Sequence, residues 1–252
     1  MSLTQIKETM SELKLLGMMA HFDMAISQAA KDGLSVGEFF DSLLQAETDF
    51  RKMKSAEKRI KGSKIRKGAS FEDFDTTAKR DITKAQLREL HSLKWMQDGR
   101  PLLLIGPTGI GKTYLARSAG FQACSHGKSV LFVPVTDFLE IQSTVRADGG
   151  YLKYRDKLTK PDLLILDDFG MRKFNSQEAE DLRDVLEQRS YGKSTLITTQ
   201  LPLNHWKEVI PDEVIFDALI DRLEGLALEI KITGESYRKV LAKKLDESTK
   251  QK

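Results

Sequence analysis

Residues Gly106-Pro107-Thr108-Gly109-Ile110-Gly111-Lys112-Thr113 match the pattern G-x-x-x-x-G-K-[ST] at every specified position. The pattern works only between a buried parallel strand and a helix, so it dictates local structure as well as chemistry. Glycines let backbone N–H groups turn inward around phosphates, the lysine reaches the β- and γ-phosphates, and the threonine hydroxyl can ligate Mg²⁺. Both flanks comply. Pro101-Leu102-Leu103-Leu104-Ile105 is a short apolar run suited to a strand covered on both faces, and Tyr114 to Ala119 reads as helix. Gly106, Pro107, Thr108, Gly109, Ile110, Gly111, Lys112, Thr113 and Tyr114 are therefore the candidate nucleoside triphosphate site.

A second signal supports the first. Leu163-Leu164-Ile165-Leu166-Asp167-Asp168 is an apolar strand ending in two carboxylates, which matches a Walker B strand. Asp167 is expected to hold Mg²⁺ through its water shell and Asp168 to orient or deprotonate an attacking water. The second acid is more often glutamate in related ATPases; aspartate is one methylene shorter, which points to slow hydrolysis. Ser194 to Gln200 reads as a further strand, whose polar end offers Thr199 or Gln200 as a sensor of the γ-phosphate. Ser129 to Val135 and Leu228 to Thr233 complete an expected parallel sheet of about five strands, with helices over 176–190 and 215–223. The class is α/β. Cys124 is the single cysteine and reads as a small packing residue.

Residues 1–67 read as a helical domain, 68–82 as a linker and 83–252 as the nucleotide domain. Leu13, Leu16, Ala20 and Met24 recur at helical steps up to a stop at Gly33, and Ser35-Val36-Gly37-Glu38 has capping-box spacing before Phe39, Leu43, Ala46 and Phe50. From there the charge changes. Arg51, Lys52, Lys54, Lys58, Arg59, Lys61, Lys64, Arg66 and Lys67 are interrupted by one acid, Glu57, and suit a phosphate backbone read without regard to base sequence. A solvated helical face is the alternative. Phe71 and Phe74 lie just upstream of the nucleotide domain, where they either anchor the linker or flank an adenine, and Thr83 to Asp98 reads as one helix. A mixed basic and tyrosine segment, Arg146 to Lys157, suits either a DNA-facing loop or a plain surface helix. With no signal peptide or membrane-length apolar run, the expected location is the cytoplasm.

The phosphate loop, Leu163–Gly170, Leu196-Ile197-Thr198-Thr199-Gln200, Asp217 to Leu223 and the ending Gly234-Glu235-Ser236-Tyr237-Arg238 together resemble the IstB-like ATPases. Leu13-Lys14-Leu15-Leu16-Gly17-Met18 and Phe71-Glu72-Asp73-Phe74-Asp75 are similar to that family's N-terminal and linker motifs. These are helper proteins of bacterial insertion sequences, related to the DnaC helicase loaders and DnaA initiators of the AAA+ superfamily. The resemblance implies an AAA+ P-loop fold, ATP and Mg²⁺ as ligands, ATP hydrolysis, homo-oligomers with ATP sites at subunit interfaces, duplex DNA and a transposase as partners, and no membrane. It also implies that Arg222 is an arginine finger completing a neighbour's site, against the alternative of a local salt bridge. No separate C-terminal lid domain fits after Thr233, which leaves Arg238 as a weak candidate for a lid arginine. A DnaC-like helicase loader is the competing function.

Overall fold

The structure, a computed structural model, describes residues 2–66, 68–76, 80–240 and 242. The chain divides into two compact units, Met1–Lys58 and Arg59–Lys252.

The first unit holds α1 (Leu3–Glu12), α2 (Leu16–Asp32) and most of α3 (Val36–Gly62). The capping box forms as expected: the Glu38 carboxylate accepts from the Ser35 amide at 2.8 Å, and the Glu38 amide donates back to the Ser35 hydroxyl at 3.3 Å. The expected apolar stripe does not hold. Leu13, Leu16 and Met24 are 63%, 40% and 61% exposed, whereas Met18, Phe22 and Ala25 are buried with Leu43. Lys14 adopts φ 59°, which breaks the chain between α1 and α2 and resets the helical phase, so Leu13 cannot continue a face of α2. Gly17 sets how closely α2 meets α3, since a Cβ there would stand 2.6 Å from the Ala46 carbonyl oxygen and from Phe50 Cβ. At this contact the buried Glu47 carboxylate accepts from the Gly17 and Met18 amides at 2.7 and 3.1 Å, satisfying orphan donors at the start of α2.

The second unit is built on a parallel sheet ordered β2-β3-β4-β1-β5, from β1 (Leu102–Ile105), β2 (Val130–Pro134), β3 (Leu163–Phe169), β4 (Ser194–Thr199) and β5 (Leu228–Lys231). Side chains alternate between its two faces. Leu103, Leu131, Leu164, Leu166 and Ile197 join a core with α7 (Val135–Ala147), α8 (Tyr151–Thr159), α9 (Ser176–Arg189) and α10 (Glu213–Leu223). Leu102, Leu104, Phe132, Ile165 and Leu196 join the other core with α4 (Lys84–Ser92), α5 (Lys94–Gln97) and α6 (Lys112–Ser125). The helix expected over Thr83–Asp98 is two helices, because Leu93 takes φ 56° and redirects the chain. Residues of the expected linker are drawn into this second core: Phe74 is 6% exposed and Phe71 packs edge-on against His91. Cys124 is fully buried in α6, and burial pushes its thiol up to about 11, as suits a packing residue.

Two large side chains lock the other face. Trp206, on a 3-10 turn (Leu203–Glu208), is fully buried with its ring 3.9 Å from that of Phe169, and its indole N–H donates to the Leu201 carbonyl at 3.1 Å. Arg189, at the end of α9, is 1% exposed, and burial pulls its guanidinium down to about 10. Its three nitrogens donate to the Thr195 hydroxyl and to the carbonyls of Leu158, Thr159, Pro161, Asp162 and Ser194. One side chain thus joins α9 to the chain entering β3 and to the start of β4.

Candidate nucleotide site

Gly106–Gly111 leaves the C-terminal end of β1 and turns into α6, whose first residue is Lys112. Gly109 takes φ 80°, and a Cβ on it would strike the Ser236 hydroxyl at 2.2 Å, so the loop and the segment after β5 interlock at a residue without a side chain. The Tyr237 amide donates to the Gly109 carbonyl at 2.9 Å. Arg80 clamps the same loop from the other side, its guanidinium 4.0 Å from the centre of the Phe74 ring and 4.6 Å from that of Tyr237, and it donates to the Ile110 and Asp75 carbonyls. The ending Gly234–Arg238 therefore has a physical task, which is to hold the phosphate loop in shape.

Next to the loop lies a cleft of about 450 Å³. Thr108, Gly109, Gly111, Lys112, Thr113 and Tyr114 line it from the motif, with Asp168 and Gln200 opposite. Lys112 is 5% exposed and its ammonium donates to the Gly106 and Pro107 carbonyls at 2.8 and 3.0 Å. Burial lowers its proton affinity, and the charges of Asp168 and Asp167 work against that. The Thr113 hydroxyl donates to the Asp167 carboxylate at 3.0 Å, and the Thr198 hydroxyl donates to the same oxygen at 2.7 Å. Burial raises the Asp167 carboxyl above its ordinary range, and these two donors offset part of the rise. Tyr114 turns its hydroxyl to Ser70, donating to the carbonyl at 2.9 Å and accepting from the amide at 3.2 Å.

Asp168 owes its position to a bulge. Pairing between β3 and β4 shifts register between Leu166 and Phe169, and Asp168 adopts φ 58° with its amide donating to the Thr198 hydroxyl at 2.9 Å. Aspartate tolerates this left-handed backbone better than most residues. The bulge swings its carboxylate into the cleft while its neighbour Asp167 stays buried. Thr198 is the residue that sequence reading missed: its hydroxyl holds both halves of the Asp167-Asp168 pair. Thr199 has a different task, since it is 1% exposed and its hydroxyl donates to the Phe169 carbonyl at 3.0 Å. Of the two sensor candidates, Gln200 is the one in the cleft.

Arg222 lies elsewhere. It extends from α10 to Glu187 on α9 at 3.0 Å and donates to the Ala218 carbonyl at 2.7 Å, beside Arg100, Lys193 and the residues that open β1 and β4, at the opposite end of the strands from the phosphate loop. The basic run divides among several tasks. Arg51 pairs with Glu47 at 2.7 Å, Lys52 approaches Asp49 at 3.8 Å and Lys54 approaches Glu57 at 3.0 Å. Arg59 donates from Nε to the Cys124 carbonyl at 2.8 Å, and Arg66 lines the cleft. Lys58, Lys61 and Lys64 are exposed, and Lys67 lies outside the described residues.

The donor set fits both ligands that the motif implies. Among the described residues the buried Nε atoms of Arg80 and Arg117 have no hydrogen-bond partner, and both side chains line a cleft whose loop offers backbone amides, which suits a polyphosphate. Thr113 and Asp167 offer one hard oxygen each, and no group of three or more acids, histidines or cysteines suited to a metal occurs among the described residues. Such a sparse set suits Mg²⁺, which keeps waters and takes phosphate oxygens as further ligands.

Fold and site together define a nucleotide-binding P-loop domain built on a five-stranded parallel sheet. Solved structures share it at the level of fold: a DNA replication initiation factor (TM-score 0.60, 19% identity, 73% of this chain and 56% of that one), DnaI (0.57, 21%, 66% and 91%) and the DnaC helicase loader (0.53, 20%, 64% and 96%). The chain belongs to the family of IstB-like ATP binding proteins, whose pattern it matches over residues 8–245. It is similar to insertion-sequence ATP-binding proteins of Sinorhizobium fredii (34% identity, 92% of this chain and 95% of that one), Mycobacterium tuberculosis (32%, 92% and 93%) and Pseudomonas aeruginosa (30%, 93% and 88%). No helix among the described residues is long and apolar enough to cross a membrane.

Proposed function

We propose that this protein is the ATP-dependent helper of an insertion sequence, assembling as a homo-oligomer on duplex DNA in the cytoplasm, selecting or remodelling the target and recruiting or activating its transposase. The observation that carries the reading is the joined Thr113–Asp167–Thr198 network beside Lys112 and Asp168, in a chain whose full-length relatives are ATP-binding proteins of insertion sequences. Likeness to the DnaC loader is a likeness of fold at 20% identity, so the loader reading has less support.

In this reading Lys112 binds the β- and γ-phosphates, with Thr113 and Asp167 on the Mg²⁺ side. The metal supplies charge neutralisation across the phosphates. Asp168 accepts the proton of a water whose oxygen bonds to the γ-phosphorus as the bond to the bridging oxygen breaks and ADP leaves. Gln200 orients that water. Arg222 acts in trans: on assembly it exchanges Glu187 for a neighbour's nucleotide. Hydrolysis then resets the assembly.

DNA contact is assigned to the exposed part of the basic run. Replacing Lys58, Lys61 and Lys64 together with alanine is expected to weaken binding to duplexes of unrelated sequence alike, and to reduce the slope of log affinity against log salt by about 2 to 3. Fluorescence anisotropy at several salt concentrations checks this. An unchanged slope would place the DNA path on another surface.

A further inference from the structure

The cleft holds more positive charge than the phosphate loop accounts for. Besides Lys112, it is lined by Arg66, Arg80, Arg117 and Arg238. Arg80 is committed to the Phe74–Tyr237 stack and the loop carbonyls, whereas Arg117 feels the charge of Asp167 without pairing with it, and Asp73, Asp75 and Asp168 share the lining with Arg66. Among the described residues neither takes part in an ion pair, and Arg117 keeps a buried Nε with no partner.

Both arginines are fixed to one point of the edge strand β2. Arg117 stands one helical turn beyond Thr113 on α6, with its guanidinium 5.0 Å from the centre of the Phe132 ring. Arg66 follows a segment anchored to the same residue, for the Phe132 amide donates to the Ser63 carbonyl at 2.8 Å. Ser63 is fully buried, and Ile65 is buried close enough to α6 that a Cβ on Gly120 would meet it at 2.4 Å. Arg66 is thus carried to the cleft by a fixed tether only three residues from that hydrogen bond, and α3 ends at Gly62, the residue just before Ser63.

We propose that Arg66 and Arg117 form a cis pair that binds the terminal phosphate of the nucleotide, so that the cleft selects triphosphate over diphosphate and the Ser63–Phe132 junction senses which is bound. The inference rests on the reading of the cleft as an ATP site and names how that site is regulated. Two guanidinium groups converging on one cleft repel each other until a dianionic phosphoryl group neutralises both. With the γ-phosphate present, Arg66 is held and the segment after α3 is pinned to β2. After hydrolysis and phosphate release, the repulsion returns and loosens the strap at the root of the basic helix. Nucleotide state is thereby transmitted to the end of α3.

The test measures the affinities of full-length wild type, Arg66→Ala, Arg117→Ala and Arg117→Lys for Mg²⁺ with a non-hydrolysable ATP analogue and with ADP, by calorimetry. Hydrogen exchange of the segment 130–134 is followed in both nucleotide states. Wild type is expected to prefer the analogue at least about tenfold, and each alanine to lower that preference about tenfold by weakening the analogue alone, in keeping with one lost charge-assisted contact. Arg117→Lys should restore part of the preference. The analogue should slow exchange of segment 130–134 relative to ADP in wild type and not in Arg66→Ala. Unchanged preference in both alanine variants, or equal weakening of analogue and ADP, overturns the pair. Arg66 is exposed, so its variant tests the idea even where an Arg117 variant folds poorly. Wild type binding neither nucleotide overturns the ATP-site reading and this inference with it, whereas binding with unaltered preference in the variants overturns this inference alone.

Discussion

Replacing Lys112 with alanine is expected to lower affinity for ATP at least about a hundredfold, the cost of roughly 3 kcal/mol for losing a charged donor in a desolvated site. The expectation follows from where the ammonium stands. It is buried, among the described residues it donates only to the Gly106 and Pro107 carbonyls within its own loop, and the charges of Asp168 and Asp167 oppose the effect of burial on its proton affinity. An anionic phosphate is a better acceptor than either carbonyl. ADP affinity should fall as well, because the lysine reaches both outer phosphates, and this separates it from the Arg66 variant. Calorimetric titration measures the loss, and a thermal melt of the variant shows that the fold survives. Undiminished binding would remove the phosphate loop from the centre of this account.

The largest stability effect is expected at Arg189. Truncation to alanine should cost about 3 to 5 kcal/mol, because removing one member of a buried charged network leaves its partners unpaired. Here the partners are the Thr195 hydroxyl and five carbonyls that enter or border β3 and β4. Its proton affinity is depressed only to about 10, so the guanidinium is charged at neutral pH in the folded and unfolded states alike. The loss should therefore be flat across the neutral range. Denaturant unfolding followed by circular dichroism measures it. Lysine in place of Arg189 keeps the charge but not the planar fork, and should recover only a minor part. A loss under about 1 kcal/mol would mean that the carbonyls find other donors.

The motifs were legible because their chemistry requires fixed residues at fixed spacing. The phosphate loop, the Asp167-Asp168 pair and the alternation of strands and helices all stand where the sequence places them. What escaped depends on backbone geometry that no local pattern encodes. The bulge at Asp168 decides which carboxylate faces the cleft, and it makes Thr198 the polar hub of β4 while Thr199 serves the backbone. At the N-terminus a periodic stripe was misleading because the left-handed Lys14 cuts Leu13 off from α2, and α2 buries the neighbouring face of Met18, Phe22 and Ala25 while Leu16, Ala20 and Met24 stay exposed. Charge showed the basic run as uniform, yet its members divide among a buried acid, a helix carbonyl, the nucleotide cleft and solvent. Long-range packing alone makes those distinctions.

The interlocked ending gives the family's closing motif a role that sequence could not assign. Ser236 and Tyr237 meet Gly109, and Arg80 bridges Phe74 and Tyr237 over the same loop. The phosphate loop is therefore clamped from residues on both sides of it in the chain. This arrangement connects the nucleotide to the tether before β1 and to the segment after β5.

The central claim is that ATP drives assembly on duplex DNA. Sedimentation of the full-length protein with a long duplex, in Mg²⁺ with a non-hydrolysable ATP analogue or with ADP, tests it most directly. The account predicts large protein–DNA complexes with the analogue, and free duplex with small protein species in ADP. Identical sedimentation in the two nucleotides, or assembly that is as complete with no nucleotide at all, would contradict it.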